Sequence, residues 1–488
     1  MNKPEVLAPA GDMERLKYAI AYGADAVYLA GKHFGMRAAS GNFSDEELRD
    51  GIAYAHERGV KIYVTVNISP RSPEFPELEE YLKKLYLYHA DAIIVSDLGV
   101  IRVAKRIVPN MPLHISTQAS ILNYEAAQFW VDMGAERIVL ARELTLKEIK
   151  TIRDHIPPEV EIECFVHGAM CISYSGRCLI SNYTTGRDAN HGACAQSCRW
   201  KYALMEEKRP GQYFPVDEDE RGTYLYNSKD MCMIDHIPEL IEAGVTSFKI
   251  EGRAKTAYYT AGITASYRRA IDAYFENPTP DFKVPEDIRE EIGKISHREY
   301  FTGFYFGRDP KGQYYPDVMY IRDWEISGLF DSCDEDGNAV FVLKNRFFSG
   351  DTLELMQPGK PVYSFKVENM TNDDGEVLDA ARQDAAAGDG QNMSGADEAV
   401  KEPGEPENRN QISANLADQL GGLINLAQEA GDTEMVSWLM ERRHRMRTAG
   451  SVQIAGMAHA VATALTADAI RATGEVQPAS DNPEIFGE

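Results

Sequence analysis

Eight times between residues 6 and 253 a short run rich in Val, Ile, Leu and Ala gives way to an amphipathic stretch of helical length, and this alternation restricts the chain more than any other feature. The runs are VLAPAG (6–11), AVYLAG (26–31), KIYVTVNI (61–68), AIIVSD (92–97), LHISTQAS (113–120), RIVLAREL (137–144), EIECFVHG (161–168) and SFKIEGR (247–253). Strands so uniformly apolar are buried on both faces, which calls for a parallel sheet covered by helices. Eight such units in about 275 residues fit an α/β fold of the closed (β/α)8 type, a TIM-like barrel. An open doubly wound sheet is the alternative, but neither G-x-G-x-x-G after a strand nor G-x-x-x-x-G-K-[ST] occurs.

In such a barrel, function gathers at the C-terminal ends of the strands. Polar residues recur there: Thr65, Asn67, Ser96, Asp97, Ser116 to Gln118, Arg142, Glu143, His167, Lys249, Glu251 and Arg253. Each alone reads as readily as a helix cap or loop residue. Recurrence across strands makes Arg142, Glu143, His167, Lys249 and Glu251 the catalytic candidates. The seventh unit departs from the pattern, because an insertion over 169–233 separates its strand from the helix HIPELIEAGV (236–245), where two to six residues are usual. An insertion at the catalytic face is a candidate functional element.

The barrel with this insertion occupies 1–280, followed by a connecting segment over 281–317. Short β-like runs broken by turns such as DEDGN and FSGD predict a small all-β domain over 318–381. Residues 382–412, rich in Gly, Ala and acids, have linker composition. Residues 413–488 read as a helical appendage of unassigned role, whose RRHRMR is better explained as a cationic helix end than as an RNA contact.

The net charge of −25 argues against a generally basic nucleic-acid binder, although about half of it falls beyond residue 370. The charge of the barrel mouth therefore does not follow from the total. No run approaches the roughly 18 apolar residues of a membrane span, and the N-terminus lacks a leader pattern, so a cytoplasmic protein is expected.

In a reducing compartment a cysteine cluster speaks for metal or redox chemistry rather than disulfides. Five of the seven cysteines lie in ECFVHGAMCISYSGRCLISNYTTGRDANHGACAQSCRW (163–200). Six residues separate Cys171 from Cys178, fifteen separate Cys178 from Cys194 and three separate Cys194 from Cys198; Cys232 follows where the insertion returns to the barrel. Thiolates select iron–sulfur, zinc or copper(I). Spacing alone leaves a cluster, a zinc site and merely buried thiols open, since a structural zinc site usually shows two tight pairs and here there is one. Cys164 and Cys333 read as small apolar side chains.

The run from Glu163 through HGAMC and SGRCLIS to GACAQSCRWKY resembles the U-32 peptidase family, the collagenase-like proteins that include tRNA hydroxylation proteins and ubiquinone hydroxylation factors. PEVLAPAGDMERLKYAIAYGADAVYLAG and FKIEGRAKTAYYTA are similar to the same family, so the likeness covers about residues 1–380 and stops before the tail. It implies a barrel with a small β-domain and a 4Fe–4S cluster. Carried over, the ligands would be Cys171, Cys178, Cys194 and Cys232, with Cys198 a fifth candidate because some members use that position.

SGRCLIS, the Gly186–Arg187 pair and CAQSCRWKY together are similar to the tRNA hydroxylation branch. The implied activity is conversion of the wobble uridine of certain tRNAs to 5-hydroxyuridine, with prephenate as co-substrate and without molecular oxygen, with a paralogous partner protein a further expectation. Prephenate carries two carboxylates, which guanidinium groups hold in bidentate fashion. Arg37, Arg177, Arg187 and Arg253 are the substrate-binding candidates, with Arg142, Arg199 and Lys249 as further cations; Tyr174, Tyr183, Trp200 and Tyr202 offer stacking surfaces for a base. The competing readings are a peptidase, for which no H-E-x-x-H or G-x-S-x-G is present, with a cysteine beside His167 or His191 the conceivable dyad, and a non-enzymatic redox or accessory factor.

Overall fold

The computed structural model describes residues 2–36, 41–170, 178, 180–189, 192–197, 203–205, 213–215, 229–279, 281–307, 321–333, 338–372, 375–381 and 451–455. Two compact units divide the chain, Met1–Trp324 and Glu325–Glu488.

In the first unit the strands β1 (Glu5–Pro9), β2 (Ala26–Leu29), β3 (Lys61–Val66), β4 (Ala92–Val95), β5 (Leu113–Ile115), β6 (Arg137–Val139) and β7 (Glu161–Ala169) follow one another as parallel neighbours. Beyond β8 (Ala203–Met205), β9 (Tyr213–Pro215) and β10 (Asp230–Cys232), the strand β11 (Ser247–Ile250) pairs in parallel with both β7 and β1 and closes the ring. The expected (β/α)8 barrel is thus observed, with each strand at the head of its predicted run.

The helices are α1 (Met13–Ala21), α2 (Asp45–His56), α3 (Phe75–Leu87), α4 (Leu98–Ile107), α5 (Tyr124–Asp132), α6 (Leu146–His155), α7 (Ile180–Thr185), α8 (Ile237–Glu242), α9 (Ala257–Glu276) and α10 (Glu286–Lys294). Polar caps start them where the strands end. Asp12, Asp97, Asn123 and Thr256 accept from first-turn amides, and Ser44 with Glu47 and Thr145 with Glu148 form reciprocal capping boxes. Two layers of core result. Alternate residues such as Val6, Leu29, Val64 and Val95 pack outward against helix residues such as Leu16, Leu48 and Leu82. Leu7, Ala26, Tyr28, Tyr63, Ala92 and Ile94 form a separate apolar group from the opposite parity, inside the barrel.

The rest of the interior is ionic. Arg137, 1% exposed, binds Glu5 at 2.6 Å, Glu161 at 2.5 Å and Glu163 at 3.1 Å, and its guanidinium also donates to Ser247 Oγ and Tyr63 Oη. Burial would raise the Glu5 pKa, but the Arg137 charge and the hydrogen bonds from Arg137, Tyr63 and Ser247 hold it below its ordinary value.

The strand β7 does two jobs. Its first half is a barrel stave; its last residues, His167 to Ala169, pair antiparallel with β10 as the chain returns from the insertion. Next to β10 lies β12 (Tyr300–Phe301), so part of the expected connecting segment is bound to the barrel sheet. Within the insertion β8 and β9 pair with each other.

The second unit contains β13 (Gly328–Cys333), β14 (Ala339–Leu343), β15 (Phe347–Phe348), β16 (Thr352–Leu355), β17 (Tyr363–Lys366), β18 (Asn369–Thr371), β19 (Ala380–Ala381) and β20 (Ser451–Ala455). These make small antiparallel sheets around Ala339, Phe341, Leu343, Phe347, Leu355, Val367, Met370 and Ala381. The segment read as helical from residue 413 departs from expectation at β20, a strand between β14 and β18. Its SVQIA sequence alternates with the period of a strand, a signal too short to stand out beside the longer helical pattern around it. The DEDGN turn falls mostly outside the described residues, and the linker 382–412 entirely so.

Candidate functional site at the barrel mouth

Three adjacent staves, β6, β7 and β11, carry the densest chemistry. Lys249 on β11 and Phe165 on β7 are register partners, and Arg142 follows β6. The Arg142 guanidinium lies 3.8 Å from the Phe165 ring centre, and the Lys249 ammonium lies 5.4 Å from the same ring and 4.4 Å from that of Tyr28. Arg142 pairs with Glu251 at 3.2 Å; Lys249 pairs with the fully buried Glu163 at 2.5 Å. Arg253 is buried and donates to Thr65 Oγ1 on β3 at 3.0 Å. Asn67 and Gln118 hydrogen-bond at 2.7 Å, and Ser116 Oγ donates to Gln118 at 2.5 Å. Glu143 is half-buried, its pKa raised by desolvation. Asp97, by contrast, is spent on capping α4.

The second group surrounds β10. His167 sits opposite Cys232 and is buried among the rings of Tyr259, Tyr267 and Tyr300. Burial, with the nearby His297 and Lys255, pulls the His167 pKa down to about 3, so the imidazole is neutral; among the described residues its Nδ1 has no hydrogen-bond partner. His297 stacks on Tyr300 at 4.1 Å. Gly168 allows this crowding: its φ is +105°, and a Cβ there would stand 2.5 Å from the Glu251 carbonyl oxygen. Gly11 is held similarly, with 2.3 Å from its would-be Cβ to the Arg253 carbonyl. Two glycines of the quoted motifs therefore let strand ends touch.

A thiolate-held cluster requires soft donors whose negative sulfur is stabilised by hydrogen bonds. Burial pushes the Cys232 thiol up to about 12, against an opposing pull from the neighbouring Ile234 amide and Tyr267 hydroxyl; Tyr267 Oη itself donates to the Val166 carbonyl at 2.7 Å. Cys194 Sγ accepts from the Gln196 amide at 3.4 Å. Cys178 lies two residues before α7. These donors fit such a cluster in chemistry, although among the described residues no three His, Cys, Asp or Glu side chains gather closely enough to hold a metal ion. Cys171 and Cys198 lie outside the described residues, as do Arg37, Arg177, Arg199, His191, Tyr174, Trp200, Tyr202 and the side chain of Tyr183. Arg187 is exposed and donates to the Ala193 carbonyl at 3.0 Å, closing its own loop. Asp188 of the same loop approaches Arg71 beyond β3 at 3.9 Å. Cys164 is buried as expected, and Cys333 is half-buried in β13.

Sequence reasoning passed over Glu163, Phe165, Arg137 and the tyrosines around His167. A signal existed: in EIECFVHG both glutamates share one parity of a strand otherwise apolar throughout, the mark of charge directed into a barrel.

The sequence aligns with a Bacillus subtilis (strain 168) protein named tRNA hydroxylation protein P1 at 40% identity over 383 residues, 78% of this chain and 90% of that protein. An Escherichia coli (strain K12) protein named tRNA hydroxylation protein P matches at 37% over 425 residues, 79% of this chain and 92% of its own. A 23S rRNA 5-hydroxycytidine synthase of Escherichia coli (strain K12) is 40% identical over 275 residues, 56% of this chain and 40% of that one. The model of the U32 C-terminal domain matches residues 322–387, and that of peptidase family U32 matches residues 11–314. With most of the barrel inside that match, and with relatives aligned over most of their length, the chain belongs to peptidase family U32.

Proposed function

We propose that this protein is an RNA-modifying enzyme that hydroxylates a pyrimidine, and that its reaction is the prephenate-dependent conversion of a tRNA wobble uridine to 5-hydroxyuridine. The observation that carries this reading is the alignment, over about nine-tenths of their length, with proteins named for tRNA hydroxylation. The barrel mouth supports it. Arg142, Lys249 and Arg253 are three buried cations at strand ends, suited to holding an anionic co-substrate in a protein that is acidic overall.

The cysteines Cys171, Cys178, Cys194 and Cys232, with Cys198 as a candidate to replace one of them, would hold a 4Fe–4S cluster, which supplies one-electron chemistry when bound. Around it, the Ile234 amide and Tyr267 hydroxyl lie beside the Cys232 sulfur, and the rings of Tyr259 and Tyr267, both buried, and of the half-buried Tyr300 keep water from His167. A Cys232–His167 hydrolytic dyad has little support. Such a dyad needs an accessible thiolate beside a basic imidazole, whereas His167 is buried, Cys232 is half-buried, and both are displaced toward their neutral forms.

The test has two parts. Anaerobically purified protein, with Cys→Ala variants at 171, 178, 194, 198 and 232, is analysed for iron and acid-labile sulfide. About four irons per chain, lost in four variants and kept in the fifth, is expected; zinc or no metal sinks the cluster. The protein is then incubated with prephenate and tRNA from a strain lacking 5-hydroxyuridine, and nucleosides are resolved by mass spectrometry. Appearance of the hydroxylated uridine is expected, and unchanged nucleosides would overturn the activity.

A further inference from the structure

We propose that Arg142 and Lys249, gathered on the ring of Phe165, form the seat of a small organic acid bearing two carboxylates. The function proposed above supplies the choice of ligand; the seat itself rests on geometry.

The first observation is proximity. Both cations touch one ring, so their charges lie no further apart than about 9 Å, the sum of the two ring distances. That span suits the two ends of a compact dicarboxylate.

The second is unspent hydrogen-bonding capacity. Arg142 is 8% exposed, yet of its five N–H groups one meets Glu251 and one reaches the Ala169 carbonyl only at 3.5 Å. Among the described residues its buried Nε has no hydrogen-bond partner. Lys249, 5% exposed, donates to Glu163 and directs the rest of its ammonium toward the faces of Tyr28 and Phe165. Buried charged donors left partly unsatisfied are costly, and native structures seldom retain them without a use. Arg137 gives the contrast within the same barrel, since carboxylates, Ser247 and Tyr63 take up its donors.

The third is charge. Arg142 faces Glu251, and Glu163, the carboxylate that faces Lys249, is shared with Arg137, so the counter-charge of Lys249 is divided. The rings of Phe165 and Tyr28 offer the apolar body of an organic acid a dry surface, with a carboxylate for Arg142 at one end and one for Lys249 at the other.

Titration calorimetry without RNA tests the seat, using prephenate and phenylpyruvate, which retains a single carboxylate. Wild-type protein is expected to favour prephenate by at least about tenfold, the value of one charged contact. In R142Q and in K249M the preference collapses to within about threefold, as each variant can grip one carboxylate only. Melting curves check folding, and R142K and K249R, which keep the charge but change the donor geometry, carry the test if the neutral variants do not fold; their preference is expected to fall between the two. Binding of neither acid, equal binding of both by wild type, or a preference that survives in the variants overturns the proposal. Hydroxylation assays on the same proteins separate the two readings. A dicarboxylate preference without RNA hydroxylation strikes the proposed function and leaves the seat standing. Prephenate-driven hydroxylation undiminished in R142Q and K249M strikes the seat alone.

Discussion

Arg137 shows how far a single side chain can organise this barrel. Its guanidinium reaches from β6 to Glu5 on β1, Glu163 on β7 and Tyr63 on β3, tying together staves that are not all neighbours. Replacing it by methionine keeps much of the volume but leaves Glu5 without its guanidinium partner and the fully buried Glu163 with Lys249 alone. The expected loss is about 3–5 kcal/mol in urea unfolding, the usual consequence of breaking a buried pair from one side. A loss below about 1 kcal/mol would mean that Lys249 and Ser247 compensate. His114 gives the matching pH test. Burial, with the charges of Arg137 and Lys249, holds its pKa well below the ordinary 6.5. The unfolded chain therefore binds a proton near that pH which the folded chain refuses, so stability is lost as pH falls through about 6.5 and is unaffected above it. In H114F that proton uptake is absent. Its urea midpoint should rise relative to wild type as pH drops from about 7.5 to about 5, and a constant difference would refute the assignment. Residues of this kind were only partly legible in the sequence. Lys249, Arg142 and Arg253 were found because they fall toward the C-terminal ends of their apolar runs, whereas Arg137 opens β6 and Glu163 lies within the first half of β7, the end away from the mouth.

At the scale of elements, the pattern of apolar runs was enough to place all eight staves, because a strand buried on both faces has few other ways to be satisfied. Strand ends were less legible. LHISTQAS contributes only Leu113–Ile115 to β5, and Thr117–Ala119 turns into a 3-10 segment with Ser120 left-handed. Asp97 likewise proved to be a cap, a role that any aspartate before a helix can fill. The hairpin of β13 and β14 was legible from its turn residues, and it sets up a test for RNA docking. Lys344 and Arg346 are exposed just beyond β14, Arg346 over the Phe348 ring at 5.0 Å. If this edge meets tRNA, K344E/R346E weakens binding severalfold at low salt, and the difference shrinks as salt is added. Unchanged affinity in a filter-binding assay removes the β-domain as the docking surface.

For the molecule as a whole, the two units differ in how much core each owns. Among the described residues, the unit Met1–Trp324 has an extensive core between staves and helices in addition to the group inside the barrel, whereas eight buried residues make up the core of the second unit. The fragment comprising residues 1–324 should therefore fold alone, with a single cooperative thermal transition followed by far-ultraviolet circular dichroism. A gradual, non-cooperative melt would show that the barrel depends on the second unit. The cysteine insertion was legible as an interruption, but its ligand set was not, since sequence spacing carries no distances.

The double duty of β7 bears on how such a protein is assembled. The chain leaves the barrel along β7 and comes back on β10, against the same strand, so backbone hydrogen bonds close the long excursion between them. Closing a loop costs free energy that grows only with the logarithm of its length, so the ring need not wait for metal to hold those ends together. Assembly can then run in order: the barrel folds on the ribosome's timetable, and the cluster proposed above would be delivered to a scaffold already standing.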